Sequence, residues 1–181
     1  MAALVIGNSD YPDGNHLKNP VNDAADLSAK LKSYGFDVTI ALDCSAKEMD
    51  KHLKAFRTLL ETNEVALFFF AGHGMQIDGT NYLLAIDTDV ETEDDAKHSS
   101  LSLDKVLDAM AKSKAATRII ILDACRSNPW ERKWHRSSGV RGLASVYAPR
   151  ARSSDLRPHR EKLHMTARVG TAPTPRRSWS T

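Results

Sequence analysis

Cysteine is scarce: the 181 residues contain only Cys44 and Cys125. That excludes a disulfide-stapled fold, and a chain of this length with 41% apolar residues can bury a core without one. No N-terminal stretch joins a basic region to an apolar run and a small-residue cleavage site, so secretion is not indicated. The longest apolar run, residues 65–71, is far short of the roughly 20 residues a membrane-spanning helix needs. These absences lead to the expectation of a soluble cytoplasmic protein in a reducing compartment where thiols stay free. Zinc-ligand spacing is missing too. His16, His52, His98, His135, His159 and His164 form no pattern with cysteine or with one another. Internal repeats are absent.

Charge of one sign is lacking overall, since the net charge is only +2, but its distribution is uneven. Residues 149–181 carry eight Lys+Arg against two acids, which leaves 17 basic and 21 acidic residues in 1–148. The basic end also holds four prolines and has no apolar periodicity, so it is expected to be a disordered tail with no buried face to form a strand or helix. It lacks the aromatic interleaving of a nucleic-acid surface, and neither nucleic acid nor membrane is an expected partner. The domain expectation is therefore one globular unit over residues 1–148 followed by a tail over 149–181.

Within 1–148, short β-rich runs alternate with amphipathic stretches. This is the pattern of an α/β three-layer sandwich, a mostly parallel central sheet with helices on both faces. Strands are expected at residues 3–7, 36–42, 64–71 and 118–122. The third is nearly all apolar and so belongs in the middle of a parallel sheet, and the fourth is again apolar after Arg118. Pro20 can open a helix that Gly35 stops, Ser45 with Glu48 forms a capping box for a second, and Ser102 caps a third over 103–112. Asp78-Gly79 marks a small hairpin between residues 75–77 and 82–86, and residues 143–148 offer one more short strand.

Open parallel sheets bind ligands outside the carboxyl ends of their strands. The third strand runs into Gly72-His73-Gly74 and the fourth into Asp123-Ala124-Cys125, so both deliver a chemically competent side chain to one edge. A thiol becomes a strong nucleophile once ionised, and an imidazole beside it can take the proton and return one to a leaving amine. The flanking glycines permit a sharp turn at His73 and leave the Gly74 amide, with that of Cys125, as oxyanion donors. Cys44 has no neighbouring His or Gly-rich turn and receives no role.

At these residues the chain resembles the caspase-like cysteine peptidases, and in particular the bacterial, metacaspase-related members. The resemblance rests on Ala3-Leu4-Val5-Ile6-Gly7-Asn8, on residues 17–25 (LKNPVNDAA), on Phe70-Ala71-Gly72-His73-Gly74 with Asn81-Tyr82-Leu83-Leu84, and on residues 122–129 (LDACRSNP). His73 and Cys125 are 52 residues apart, and a His about 50 residues before the Cys is itself a caspase signature. The resemblance implies a Cys-His dyad that hydrolyses peptide bonds in protein or peptide substrates, with no cofactor and with self-association and Ca²⁺ dependence left open. It implies further strands after residue 144, and residues 150–181 show no such β-runs. Asp123 stands where basic-specific members carry an acid in the pocket for the residue before the cut, and Asp23 matches a second acidic pocket position. A carboxylate there favours Arg or Lys through charge-assisted hydrogen bonds.

Other readings stand beside this one. A caspase-like module without activity would act by binding or assembly. A flavodoxin-like nucleotide binder fits the fold class, but Gly7-Asn8-Ser9-Asp10 is not a phosphate loop. The acids of residues 87–95 suit either a solvated loop or a hard cation. Arg126, Arg132, Lys133, Arg136 and Arg141 form a polar loop with candidate self-processing sites.

Overall fold

The computed structural model describes residues 1–89, 91–125 and 162–168, with residue 125 and the last stretch described by backbone path and pairing. Its strands are β1 (Ala2–Gly7), β2 (Asp37–Leu42), β3 (Val65–Ile77), β4 (Thr80–Leu84), β5 (Ser100–Ser102), β6 (Thr117–Cys125) and β7 (Lys162–Arg168). Its helices are α1 (Pro20–Ser33), α2 (Ala46–Leu59), α3 (Glu93–His98) and α4 (Leu103–Ala111). Strands β2, β1, β3, β6 and β7 pair side by side and all parallel. The far half of β3 continues into an antiparallel extension with β4 and β5. The sheet is therefore mixed, more so than the expectation of a mostly parallel one.

Period-two alternation sorts the core into two layers. Leu4, Ile6, Phe68, Phe70, Ile120 and Leu122 pack with Met49, Leu53 and Phe56 of α2 and with Val106 and Met110 of α4. Ala3, Val5, Leu67, Phe69 and Ala71 face Ala24 and Leu31 of α1. Helices thus cover both faces, which is why residues 65–71 of β3 and 119–122 of β6 read as unbroken apolar runs. A smaller core beneath the extension joins Tyr11, Met75, Ile77, Leu84 and Ala96.

Local chemistry explains the helix ends. Pro20 stands at the first turn of α1, where its missing N–H has no partner to lose. The Ser45–Glu48 capping box opens α2, and the Ala46 amide donates to Asp87 at 2.7 Å. Gly7 carries no side chain because a Cβ there would lie 2.5 Å from the Pro20 carbonyl, where α1 starts against the end of β1.

Three expectations need correction. The first concerns residues 149–181, expected to hold no strand: Lys162–Arg168 pairs with β6 from Thr117↔Lys162 to Asp123↔Arg168. Edge pairing on an existing strand satisfies a backbone ladder without the flanking turn signals by which strands are found in sequence. The second concerns Gly72 and Gly74, which do not turn the chain at His73, since β3 runs straight through them to Ile77. The third concerns residues 87–95, which are not all loop. Thr92 caps α3 by accepting the Asp95 amide at 3.1 Å, and α3 buries only Ala96, which leaves almost no apolar stripe to detect. The candidate strand at residues 143–148 and the basic group 126–141 lie outside the described residues.

Candidate active site

In chain order the sheet starts at β1, steps to β2 on one side, and returns to β3 on the other. That reversal is a topological switch point, and it opens a crevice at the carboxyl ends of the strands. The segment between β1 and α1, residues 8–19, fills the crevice next to β3 and β6. Parallel pairing of these two strands runs in unbroken register from Val65↔Thr117 through Ala71↔Asp123 to His73↔Cys125. The sequence-derived histidine and cysteine are thus opposite partners at the last rung of a parallel ladder. The equal length of apolar strand leading into each one brings this about.

His73 is 6% exposed. Its Nε2 lies 2.8 Å from the Asn15 carbonyl. A carbonyl oxygen only accepts, so Nε2 carries the proton, and in the neutral ring Nδ1 is the acceptor nitrogen. Burial pushes the imidazole pKa below its ordinary value, and the Asn15 hydrogen bond acts in the opposite direction. The His73 amide donates to the Tyr11 hydroxyl at 3.0 Å. The Tyr11 ring meets the imidazole edge-on, with centroids 4.5 Å apart and planes at 62°.

Gly72 owes its identity to Tyr11. A Cβ at residue 72 would lie 2.6 Å from the Tyr11 hydroxyl and 3.3 Å from the Asn8 carbonyl. The glycine beside the histidine thus makes room for the neighbouring loop. That loop is tied down elsewhere: the Asp43 carboxylate accepts the Ser9 and Asp10 amides at 2.7 and 3.0 Å, and the Asn8 side chain spans from the Cys44 amide to the Leu84 carbonyl, both at 3.0 Å. Sequence reasoning does not single out Tyr11, Asn15, Asn8 or Asp43. One usable signal is a lone aromatic inside a polar, turn-rich segment, since such a ring needs somewhere to be buried.

The two acids assigned to specificity come together. Exposed Asp23 on α1 and half-buried Asp123 on β6 line one cavity of about 180 Å³ with Lys18, Pro20, Ala71 and Gly72. It lies two rungs before His73↔Cys125, because Ala71 and Asp123 are themselves partners. Cys44 stands apart at the end of β2. It is buried, and burial together with Glu48 and Asp43 pushes its thiol up to about 11. Such a thiol stays protonated at neutral pH. In residues 87–95, Asp87 caps α2, Asp95 bonds with Thr92, and Asp94 pairs with Lys97 at 3.4 Å. These acids serve local structure, and among the described residues no group of three or more His, Cys, Asp or Glu is arranged to hold a metal ion. No helix among the described residues is long and apolar enough to cross a membrane.

Comparison with known proteins gives the family and the fold. A family model described as the caspase domain matches residues 1–172. The human mucosa-associated lymphoid tissue lymphoma translocation protein 1 is 28% identical over 124 residues, covering 68% of this chain and 15% of that protein. Its mouse homologue is likewise 28% identical, with 14% of its length covered. The chain therefore spans a small part of the curated relatives it matches. Among solved structures, the Drosophila initiator caspase Dronc superimposes with a TM-score of 0.52 at 14% identity, covering 67% of this chain and 47% of that one. A Geobacter sulfurreducens protein superimposes with a TM-score of 0.53 at 19% identity, covering 70% and 51%.

Proposed function

Since this chain belongs to the caspase domain family of cysteine peptidases, we propose that it is an endopeptidase whose nucleophile is Cys125 and whose general base is His73. The observation that carries the reading is the His73↔Cys125 rung at the end of the parallel ladder between two neighbouring strands. His73 Nδ1 takes the Cys125 thiol proton, and the thiolate attacks the carbonyl carbon of the scissile peptide bond. The carbonyl π electrons move onto oxygen, and the oxyanion is held by backbone N–H groups. Successive amides along a strand point to opposite edges. The His73 amide is turned to Tyr11, so alternation directs the Gly74 amide to the edge on which Cys125 pairs. Gly74 and Cys125 are accordingly the proposed donors. The intermediate collapses, the C–N bond breaks, and the imidazolium gives its proton to the departing amine. Water, deprotonated by the same nitrogen, then releases the acid and restores the thiol.

The substrate is a protein or peptide with Arg or Lys before the cut. Asp23 and Asp123 supply two carboxylates to one cavity, and a partly desolvated ion pair favours a cation strongly over a neutral isostere. No cofactor enters these steps. The free thiol suits a reducing, cytoplasmic setting. Asp123→Asn tests the pocket by keeping size and removing charge. It should lower kcat/KM on Arg peptides at least about tenfold, roughly 1.4 kcal/mol, while alkylation of Cys125 by a small neutral reagent stays unchanged. Equal cleavage after Asp and after Arg would refute the pocket. Cleavage after Arg that Asp123→Asn leaves untouched would move the role to Asp23.

A further inference from the structure

The His73 amide lies at a gap between two ladders. Strand β1 pairs with β3 as far as Gly7↔Ala71, and β4 pairs with it from Gly74↔Leu83. The next antiparallel rung would join His73 to Leu84, and the pairing stops one position short of it. The Tyr11 hydroxyl occupies that place. It accepts the His73 N–H at 3.0 Å and donates to the Leu84 carbonyl at 3.0 Å. A side chain from the loop thus completes the sheet at the histidine. Tyr11 is 4% exposed, its ring lies edge-on to the imidazole, and burial holds its phenol protonated by raising its pKa.

The turn that follows this residue, Pro12 to Asn15, reaches the other end of the histidine. Asn15 closes it, with both its amide and its side-chain Nδ2 donating to the Pro12 carbonyl at 3.2 Å, and its own carbonyl takes the Nε2 proton at 2.8 Å. One short segment therefore grips His73 at its main chain, its ring face and its ring nitrogen. Taking His73 as the base, on which this inference rests, we propose that Tyr11, with the turn that follows it, is a positioning residue that locks the imidazole in the Nε2–H tautomer, so that Nδ1 is the nitrogen that accepts the thiol proton.

The hydroxyl is the separable part. Phenylalanine keeps the ring, and the Leu84 carbonyl keeps the Asn8 side chain as a donor. Tyr11→Phe therefore strands a single buried amide, that of His73, and lets the local backbone shift. Misplacement of a catalytic group by about 1 Å costs as much as roughly a hundredfold in rate. The experiment is ¹⁵N NMR of histidine-labelled wild type, Tyr11→Phe and Asn15→Ala, with steady-state kinetics on an Arg peptide. Wild type should show His73 as one neutral tautomer protonated at Nε2. In Tyr11→Phe the tautomers should mix, with kcat falling roughly 10- to 100-fold and KM holding within about twofold. A Tyr11→Phe ring that stays purely Nε2–H overturns the proposal, and so does tautomer mixing with unchanged kcat. Should Tyr11→Phe fail to fold, Asn15→Ala decides, because it loosens the turn from its outer side: mixing supports the role of the turn, and an unmixed ring overturns it. Absence of Cys125-dependent cleavage in wild type would sink the endopeptidase reading, and the tautomer spectra would still decide what Tyr11 does.

Discussion

The segment just after β2 and the middle of β3 each bury one titratable group against the same loop, and the two groups have different fates. Asn8 bonds to the Cys44 amide, and Tyr11 bonds to the His73 amide. Burial keeps both side chains neutral, raising the Cys44 thiol to about 11 and lowering the His73 imidazole. The surroundings make the difference. Acids beside Cys44 reinforce the effect of burial and silence the thiol. Around His73 the Asn15 carbonyl fixes which nitrogen accepts, and Cys125 is its partner in the sheet. Desolvation by itself gives an inert group, and the role proposed for His73 depends on orientation and a partner as well.

The sharpest way to break this contrast is to exchange the loss of the two thiols. Cys125→Ala should cut kcat/KM on Arg peptides by about 10³-fold or more, whereas Cys44→Ala should leave it within about twofold. Iodoacetamide at neutral pH should mark Cys125 and spare Cys44, as read by mass spectrometry. The reverse labelling would place the nucleophile at the wrong strand end. His73→Gln comes next, with an expected loss of roughly 10²-fold or more.

The pH dependence of stability sharpens the contrast because the two groups act at opposite ends of the scale. A histidine with a depressed folded-state pKa binds fewer protons folded than unfolded, so stability falls as pH drops through the unfolded value near 6.5 toward the lower folded one. For Cys44, whose thiol moves from 9.0 to about 11, the folded state holds the proton longer, so stability falls as pH rises from 9 to 11. Thermal melts should show both slopes, with His73→Gln flattening the acid one and Cys44→Ala the alkaline one. Should either slope survive its substitution, another group titrates in that window. The smallest expected effect is at the start of α2. Ser45→Ala removes half of the capping box and should cost about 1 kcal/mol in a denaturant melt while leaving kcat unchanged.

Much of the framework around these two groups is legible in the amino-acid sequence. The apolar runs of β3 and β6 specify central strands, and Pro20, Ser45 and Ser102 set three helix starts. These signals are local, because burial on both faces, fixed φ and a capping oxygen each leave their mark within a few residues. The extension by β4 and β5 is only half visible, since the hairpin turn is legible while Ser100–Ser102 is too short to show a pattern. Strand β7 leaves no such mark, because its pairing with β6 depends on what lies across from it. Gly72 stands out in the sequence as a turn residue, yet its actual role depends on a tyrosine 61 residues earlier in the chain.

The sequence by itself determined an α/β domain, two apolar runs that lead into histidine and cysteine, and a second thiol without a role, because each follows from residue type and periodicity along a short segment. Only the tertiary structure decided that His73 and Cys125 share a rung, that Asp23 and Asp123 share a cavity, and that Tyr11 and Asn15 hold the imidazole. Those relations are set by strand order, register and the path of a loop. They become physical facts only once segments distant in sequence pack together and a buried amide or ring nitrogen has to find its hydrogen-bond partner.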